Sequence, residues 1–214
     1  ATGVPFPTEN TLSVFRVVGD NLELVQAMSS TAIFNEFRFF SDMVVSPDNN
    51  FVYLADGSGA FGHISVFEKT SNRGRLAFRG SYQHPRLVQQ LAIHPNGQHV
   101  YGTDYNSVFR LGRSPLTGAL TAAERVELTS VTDARGRTRP LNDGFTDLVI
   151  SPSGDDLFAA TAEGDFLTGT LQHFRLVNGV LPAAPTSSYA DLIDNAYLSL
   201  AAGSNNTVYA TLPN

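Results

Sequence analysis

The sequence predicts an all-β fold built from repeated four-stranded antiparallel sheets. Three observations support this prediction. One hairpin pattern recurs along the chain, and recurrence of this kind is the mark of a repeat architecture. A second pair of short strands follows each complete copy of the hairpin. The composition, with 18 Gly, 15 Phe and 16% charged residues, is rich in turn formers and poor in charged helix formers.

The recurring hairpin supplies the two inner strands of each predicted sheet. A short apolar strand leads to a turn rich in Pro, Asn, Asp, Ser and Gly, and then to a strand of β-branched and aromatic residues. The first strand is nearly continuous in apolar residues, as expected when neighbouring sheets cover both of its faces. The copies span residues 42–56, 90–104, 147–161 and, more weakly, 199–211.

The second pair of strands completes each sheet. Asn178 and Gly179 form a turn dipeptide between the last two of these strands. The basic segment 129–142, which ends in a Pro-containing stretch, is predicted to be a loop leaving one face. The predicted outer pairs are Ile64–Phe67 with Leu76–Phe78, Ser107–Phe109 with a segment ending near Val126, and Leu171–Phe174 with Val180–Leu181.

The chain begins and ends out of phase with this unit. Thr11–Phe15 matches a third strand and Leu22–Val25 a fourth, whereas the last copy stops after its second strand at Thr211. We expect the two halves to pair as one composite sheet and to close a β-propeller ring, because closure removes exposed strand edges. Short strands in this number also suit a β-sandwich, but the recurrence favours the propeller. The prediction is a single domain, 1–214, with a composite blade of 11–38 plus 193–214 and whole blades at about 39–86, 87–142 and 143–192.

Several phrases resemble the repeat of YVTN/lactonase-like β-propellers. They are Ser46–Asp48, Val52–Asp56, Ile64–Phe67 and Leu116–Thr121. The resemblance covers residues 11–211 as a pattern. It implies kinship with enzymes that open sugar lactones and with carboxymuconate cyclases, whose rings are seven-bladed and longer than this chain. Three arrangements remain open: a complete four-bladed ring, a half that dimerises into eight blades, and a fragment of a larger ring. The possible partners are accordingly a second copy of the chain or a missing chain.

Composition and charge exclude several classes of function. The net charge is −6 and no basic stripe is present, which argues against nucleic acid as a partner. The absence of Cys removes disulfides and thiolate chemistry. No apolar run approaches the roughly 20 residues that span a bilayer. Residues 1–7 have neither a basic start nor an apolar core, so any export signal has already been removed. We expect an exported or extracellular protein.

A ring of polar residues is predicted at the central channel. The first strand of every propeller blade lines that channel, so the residues at the strand starts recur around the axis. These residues are Asp42, Gln90, Asp147 and Ser199. The carboxylates of Asp42 and Asp147 suit Ca²⁺, which prefers several oxygen ligands, and ordered water is the alternative.

The loops that enter these strands form a second candidate site at one mouth of the ring. His84-Pro-Arg86 partly matches the His-Pro-His segment of the lactonase relatives. If the chain is an enzyme, His84 is the candidate general base and Arg86 the candidate oxyanion binder, with Asp147 as the third catalytic residue. Solvated loop residues are the alternative. The other mouth residues, candidates for ligand binding, are Asn35, Glu36, Arg38, Asn142, Asp143, Asp194 and Asn195, together with Gln90 of the channel.

Two functions follow from these patterns. The first is a non-catalytic scaffold that presents a face or central channel to a protein or saccharide. The alternative is a lactonase-type hydrolase acting on a sugar or aromatic lactone at the channel mouth. No His has the spacing of a zinc site, and no Ser lies in a G-x-S-x-G elbow.

Overall fold

The structure, a computed structural model, describes most of the chain. The chain divides into two compact units, Ala1–Leu87 and Val88–Asn214. The boundary falls next to the predicted boundary between the first and second whole blades. The described residues are 10–36, 38–58, 61–70, 74–132, 136–141, 144–161, 169–190, 199–204 and 207–211.

The first unit holds a two-stranded sheet, a short helix and a four-stranded antiparallel sheet. The strands of the larger sheet follow one another in the order β3-β4-β5-β6, so each pairs with its neighbour in sequence. The helix is capped by the Ser29 hydroxyl, which accepts from Ala32 N. The elements are β1 (Thr11–Val18), β2 (Asn21–Ser29), α1 (Ser30–Phe34), β3 (Phe39–Val45), β4 (Phe51–Ser58), β5 (Phe61–Lys69) and β6 (Leu76–His84).

The small sheet packs on the large one through an apolar core. Leu12 of β1 is buried together with Leu54, Phe67 and Leu76 of the four-stranded sheet. Two hydrogen bonds add to this contact. The Gln26 side chain donates to Leu76 O over 3.1 Å and accepts from Leu76 N over 2.8 Å. Burial of such side chains stabilises by about 1.5–3 kcal/mol each.

The second unit holds two further four-stranded antiparallel sheets and two short hairpins. The sheet orders are β10-β9-β8-β7 and β13-β14-β15-β16. The strands are β7 (Gln90–Ile93), β8 (His99–Thr103), β9 (Ser107–Arg113), β10 (Leu120–Glu127), β11 (Ser130–Thr132), β12 (Thr138–Pro140), β13 (Phe145–Ile150), β14 (Asp156–Thr161), β15 (Thr170–Arg175), β16 (Ser187–Ala190), β17 (Ser199–Ala202) and β18 (Val208–Thr211).

Successive sheets of the second unit pack face to face. Tyr101 and Val108 of one sheet share a buried core with Leu157 and Phe174 of the next. The first strands lie side by side, with β13 in contact with both β7 and β17. This arrangement explains the apolar residues of β13, which has a neighbouring first strand on each side.

The turn of the recurring hairpin has the same geometry in the complete copies. In the first copy, Asn49 N donates to Ser46 O and the Ser46 hydroxyl accepts from Phe51 N. Gly154 N likewise donates to Ser151 O in the third copy. Asn49 and Gly154 both have positive φ, 56° and 82°, which explains the Asn or Gly at the fourth turn position.

Most of the predicted strands are confirmed, and one is wrong. The fourth strand of the third sheet is Ser187–Ala190, which pairs with β15, and not Val180–Leu181. Val180 instead forms an isolated bridge with Val177 across the predicted Asn178-Gly179 turn. The predicted loop 129–142 contains the hairpin of β11 and β12.

The terminal halves form separate two-stranded sheets, β1-β2 and β17-β18. These sheets belong to different units, so their pairing as a composite blade stays a prediction, as do the single domain and the ring closure. Among the described residues, α1 is five residues long, and no helix there is long and apolar enough to cross a membrane.

Candidate functional site

A cluster of charged side chains lies at one end of the first four-stranded sheet. At this end of the sheet, β3 begins, β4 finishes and β5 begins. Asp56 near the end of β4 pairs in register with His63 near the start of β5. Paired residues of neighbouring strands project from the same face of a sheet, so the two side chains lie side by side. Arg38 precedes β3 and joins them.

Arg38 is held in one orientation by three groups. Its Nη1 donates to Asp56 Oδ1 over 2.8 Å, and its Nε donates to Glu36 Oε1 over 2.6 Å. The guanidinium lies 4.1 Å from the centre of the Phe34 ring, within the range of a cation–π contact. Because the Arg38 side chain is only 12% exposed, its ion pair with Asp56 is largely shielded from solvent.

The Asp56 carboxylate is fully buried, and burial raises its pKa above the ordinary value. The nearby Ser65 hydroxyl and Arg38 oppose this rise, since both stabilise the ionised form. The Asp56 Oδ2 atom is buried and has no hydrogen-bond partner among the described residues. The hydrogen bond that Arg38 donates goes to the other oxygen, Oδ1.

His63 lies across from this carboxylate. Its Nδ1 is 3.9 Å from Asp56 Oδ1, beyond hydrogen-bond range, and is buried without a hydrogen-bond partner in the described part of the chain. Burial lowers the pKa of His63, and the positive charge of Arg38 lowers it further. The imidazole is therefore neutral at neutral pH and can accept a proton.

The other sheets carry related pairs at the same position of the repeat. In the second sheet, Arg125 Nη2 lies 3.2 Å from Asp104 Oδ2, and Arg125 Nε donates to the Ser107 hydroxyl over 2.9 Å. In the third, the hydroxyls of Thr161 and Thr170 lie 2.9 Å apart. Such buried polar pairs are thus a feature of the repeat, and the first sheet adds the histidine.

The predicted mouth residues are only partly described. His84 ends β6, is buried, and pairs in register with Gly62, so its side chain and that of His63 project from opposite faces of the sheet. Arg86 follows and is half-buried. Asn35 caps the C-terminus of α1 with φ of 56°. The remaining predicted mouth residues lie outside the described residues: Asn142, Asp143, Asp194 and Asn195.

The predicted catalytic set also stays a prediction, because its members belong to different units. His84 and Arg86 are in the first unit and Asp147 is in the second. The structure does place Asp56 and His63 with Arg38, a combination that sequence reasoning missed. Both residues are visible in the sequence as polar positions in apolar strands, but their pairing depends on the strand register.

The predicted channel carboxylates have the same local geometry. Asp42 and Asp147 each follow a β-bulge, and each Oδ1 accepts a hydrogen bond of 2.7 Å from the N–H of the next residue. Gln90 N donates to the Thr103 hydroxyl over 3.2 Å. Among the described residues no three His, Asp or Glu side chains lie together as a metal site. The calcium site of Asp42 and Asp147 stays a prediction.

The chain is similar in structure to solved β-propellers. It matches a candidate 6-phosphogluconolactonase from Bacteroides uniformis with a TM-score of 0.68 and 18% identity, covering 94% of this chain and 57% of that one. A functionally unknown protein from Desulfotomaculum acetoxidans matches with a TM-score of 0.60 and 19% identity, covering 96% and 55%. The β-propeller domain of Cps50 (Swd1) from Myceliophteria thermophila matches with a TM-score of 0.58 and 10% identity, covering 91% and 57%.

No protein-family model and no curated protein matches the chain. At these identities the structural likeness shows the fold, which is a β-propeller fold, as the repeat predicted. The resemblance to lactonase-like propellers is confirmed at this level. The chain spans about half the length of the solved proteins that it matches.

Proposed function

We propose that the chain carries a lactonase-type hydrolytic site, in which His63 activates water at one end of the first four-stranded sheet. The observation that carries the proposal is the contact of a neutral, part-buried histidine with a buried carboxylate that an arginine holds in place. The likeness to a candidate 6-phosphogluconolactonase supports the reaction class. The lactonase-type hydrolase, which the sequence indicated as the alternative function, is therefore preferred to the non-catalytic scaffold.

The reaction needs one water molecule and one proton acceptor. The side chains of Asp56 and His63 must move apart to admit this water, because Asp56 Oδ2 and His63 Nδ1 are both buried. The water then loses a proton to Nδ1 as its oxygen bonds to the lactone carbonyl carbon. The ring C–O bond then breaks, and the proton passes from His63 to the departing ring oxygen. The product is the open hydroxy acid.

Asp56 and Arg38 have supporting roles in this scheme. The ionised Asp56 stabilises the imidazolium that forms on His63, and Arg38 keeps the carboxylate ionised and oriented. Both act through His63 and are therefore positioning residues. Arg86, which follows the neighbouring end of β6, remains the candidate for binding the oxyanion.

The test is turnover of a panel of sugar and aromatic lactones, measured with and without added Ca²⁺. His63→Gln is expected to lower kcat/KM about 100-fold, since general base catalysis contributes roughly 10²–10⁴-fold. His99→Gln is the matched control, because His99 is also part-buried with a lowered pKa caused by burial. The wild-type kcat/KM should rise with pH to a plateau with an apparent pKa below about 6.5.

Two results would overturn the proposal in different ways. If lactones turn over and His63→Gln has no effect, while His84→Ala folds like the wild type and abolishes activity, the site first predicted from the sequence is the correct one. If no lactone turns over but a glycan or protein binds, the chain is the non-catalytic scaffold.

A further inference from the structure

A second cluster of polar side chains lies on one face of the third four-stranded sheet. His173 of β15 pairs in register with Ser187 of β16 on one side and with Phe158 of β14 on the other. Asp156, two residues before Phe158, projects from the same face and pairs with Arg175. Three adjacent strands thus bring a serine, a histidine and an aspartate together.

The three polar side chains form a continuous hydrogen-bonded chain. Ser187 Oγ lies 3.1 Å from His173 Nδ1, and His173 Nε2 lies 2.8 Å from Asp156 Oδ1. An ionised carboxylate only accepts hydrogen bonds, so His173 Nε2 carries the hydrogen in this contact. The Nδ1 lone pair then points at Ser187, whose hydroxyl donates to it.

The surrounding residues favour the ionised form of Asp156 and hold the His173 ring in position. Burial works to raise the pKa of Asp156, but hydrogen bonds from His173 and Arg175 bring it below the ordinary value. Arg175 Nη1 lies 3.0 Å from Oδ1 and 2.9 Å from Oδ2 of this carboxylate. The His173 ring stacks on Phe158 at 5.0 Å between centroids and 19° between planes.

We propose that Ser187 is an activated nucleophile that accepts acyl groups, with His173 as its general base and Asp156 as the residue that orients His173. The ligand class is a small activated ester, because Ser187 is exposed on the outermost strand of the sheet and is open to such molecules. The proposal is independent of the lactonase site, which lies in the other unit of the chain.

The step follows the general logic of a serine–histidine–aspartate triad. The Ser187 oxygen bonds to the ester carbonyl carbon while its proton moves to His173 Nδ1. The ester C–O bond breaks, and the leaving alcohol takes the proton from His173. Water then releases the acid from the acyl-serine by the reverse path, with His173 again accepting and returning a proton.

The sequence pattern around Ser187 gives no sign of this site. The serine does not lie in a G-x-S-x-G elbow, and its strand was predicted elsewhere. A triad assembled from three neighbouring strands has no fixed spacing, so only the register of β14, β15 and β16 shows it.

The experiment treats the full chain with p-nitrophenyl acetate and, separately, with a fluorophosphonate probe, and locates the adduct by peptide mass spectrometry. We expect the adduct on Ser187. Ser188 is the matched control, because it is the next residue, is also exposed, and projects from the opposite face. Ser187→Ala should abolish labelling, Ser188→Ala should preserve it, and His173→Gln should lower the labelling rate about 100-fold.

Thermal unfolding of each variant separates loss of reactivity from loss of fold. The proposal is wrong if Ser187 and Ser188 react equally, or if His173→Gln folds and labels at the wild-type rate. Lactone turnover should be unchanged in Ser187→Ala, which keeps this test distinct from that of the lactonase site.

Discussion

The carboxylate of Asp147, near the start of β13, accepts a hydrogen bond of 2.6 Å from the backbone N–H of Leu200 in β17. The Ser199 hydroxyl donates to the same carboxylate oxygen over 3.2 Å, and the other oxygen accepts from Leu148 N over 2.7 Å. One carboxylate therefore ties the first strands of two successive sheets together. This contact gives Asp147 a structural role beside the channel and catalytic roles that the sequence predicted for it.

Removing this carboxylate should destabilise the chain. Asp147→Ala leaves the Leu200 N–H without its charged acceptor, and hydrogen bonds to charged groups contribute about 1.5–3 kcal/mol. We expect the free energy of unfolding to fall by about 2 kcal/mol in urea titrations. Asp20→Ala, in the exposed turn between β1 and β2, is the charge-matched control and should have little effect. Equal stability of the two variants would contradict the structural role.

Tyr101 should contribute through its hydroxyl as well as its ring. Its side chain is fully buried, and the hydroxyl donates to Gly179 O over 2.6 Å. Burial raises the pKa of Tyr101, which keeps the hydroxyl protonated as a donor. Tyr101→Phe should cost about 1 kcal/mol, whereas Tyr105→Phe, at an exposed tyrosine, should cost much less. A calorimetric comparison in which both variants unfold like the wild type would count against the bond.

Gly154 should not tolerate a side chain. Its φ is +82°, and an added Cβ would lie 2.6 Å from ring atoms of His94. Gly19 also has a positive φ, +61°, but open space around the Cβ position. Both Ala variants carry the backbone strain, so the extra loss in Gly154→Ala measures the steric clash and should exceed about 1 kcal/mol. Equal losses in thermal unfolding would show that His94 moves away without cost.

The sequence predicted the recurring hairpins because their signals are local. An apolar strand, a Pro-containing or Gly-containing turn and a β-branched strand each depend on neighbouring residues. The fourth strand of the third sheet is different. Ser187–Ala190 has no apolar run, and its strand state depends on pairing with β15, which is a tertiary contact.

The candidate site was predicted less well than the fold, for a physical reason. Asp56 and His63 are seven positions apart in sequence, and only the register of β4 against β5 makes them neighbours. A shift of one residue would turn one of the side chains to the other face. The loop residues Arg38 and Arg86 could be named from the sequence as charged residues near strand ends, and their roles stay predictions, whereas the partners of Arg38 required the structure.

The pair of Arg38 and Asp56 should show a stability that depends on both residues and on pH. Arg38→Met leaves a buried carboxylate without its arginine, which should cost about 3 kcal/mol near pH 7. In an Asp56→Asn background the same substitution should cost less than half as much, because no buried charge remains to be compensated.

The cost of removing Arg38 should also depend on pH. Arg38 lowers the pKa of Asp56 against the effect of burial, so its removal moves that pKa further above the unfolded value of about 3.9. A carboxyl group whose pKa is higher in the folded state stabilises at low pH and loses that contribution as the pH rises through the folded pKa. The cost of Arg38→Met should therefore be small near about pH 4 and grow toward neutrality, as measured by urea unfolding across this range. A cost that is constant with pH and unchanged in the Asp56→Asn background would mean that Arg38 stabilises the chain through Phe34 and Glu36 alone.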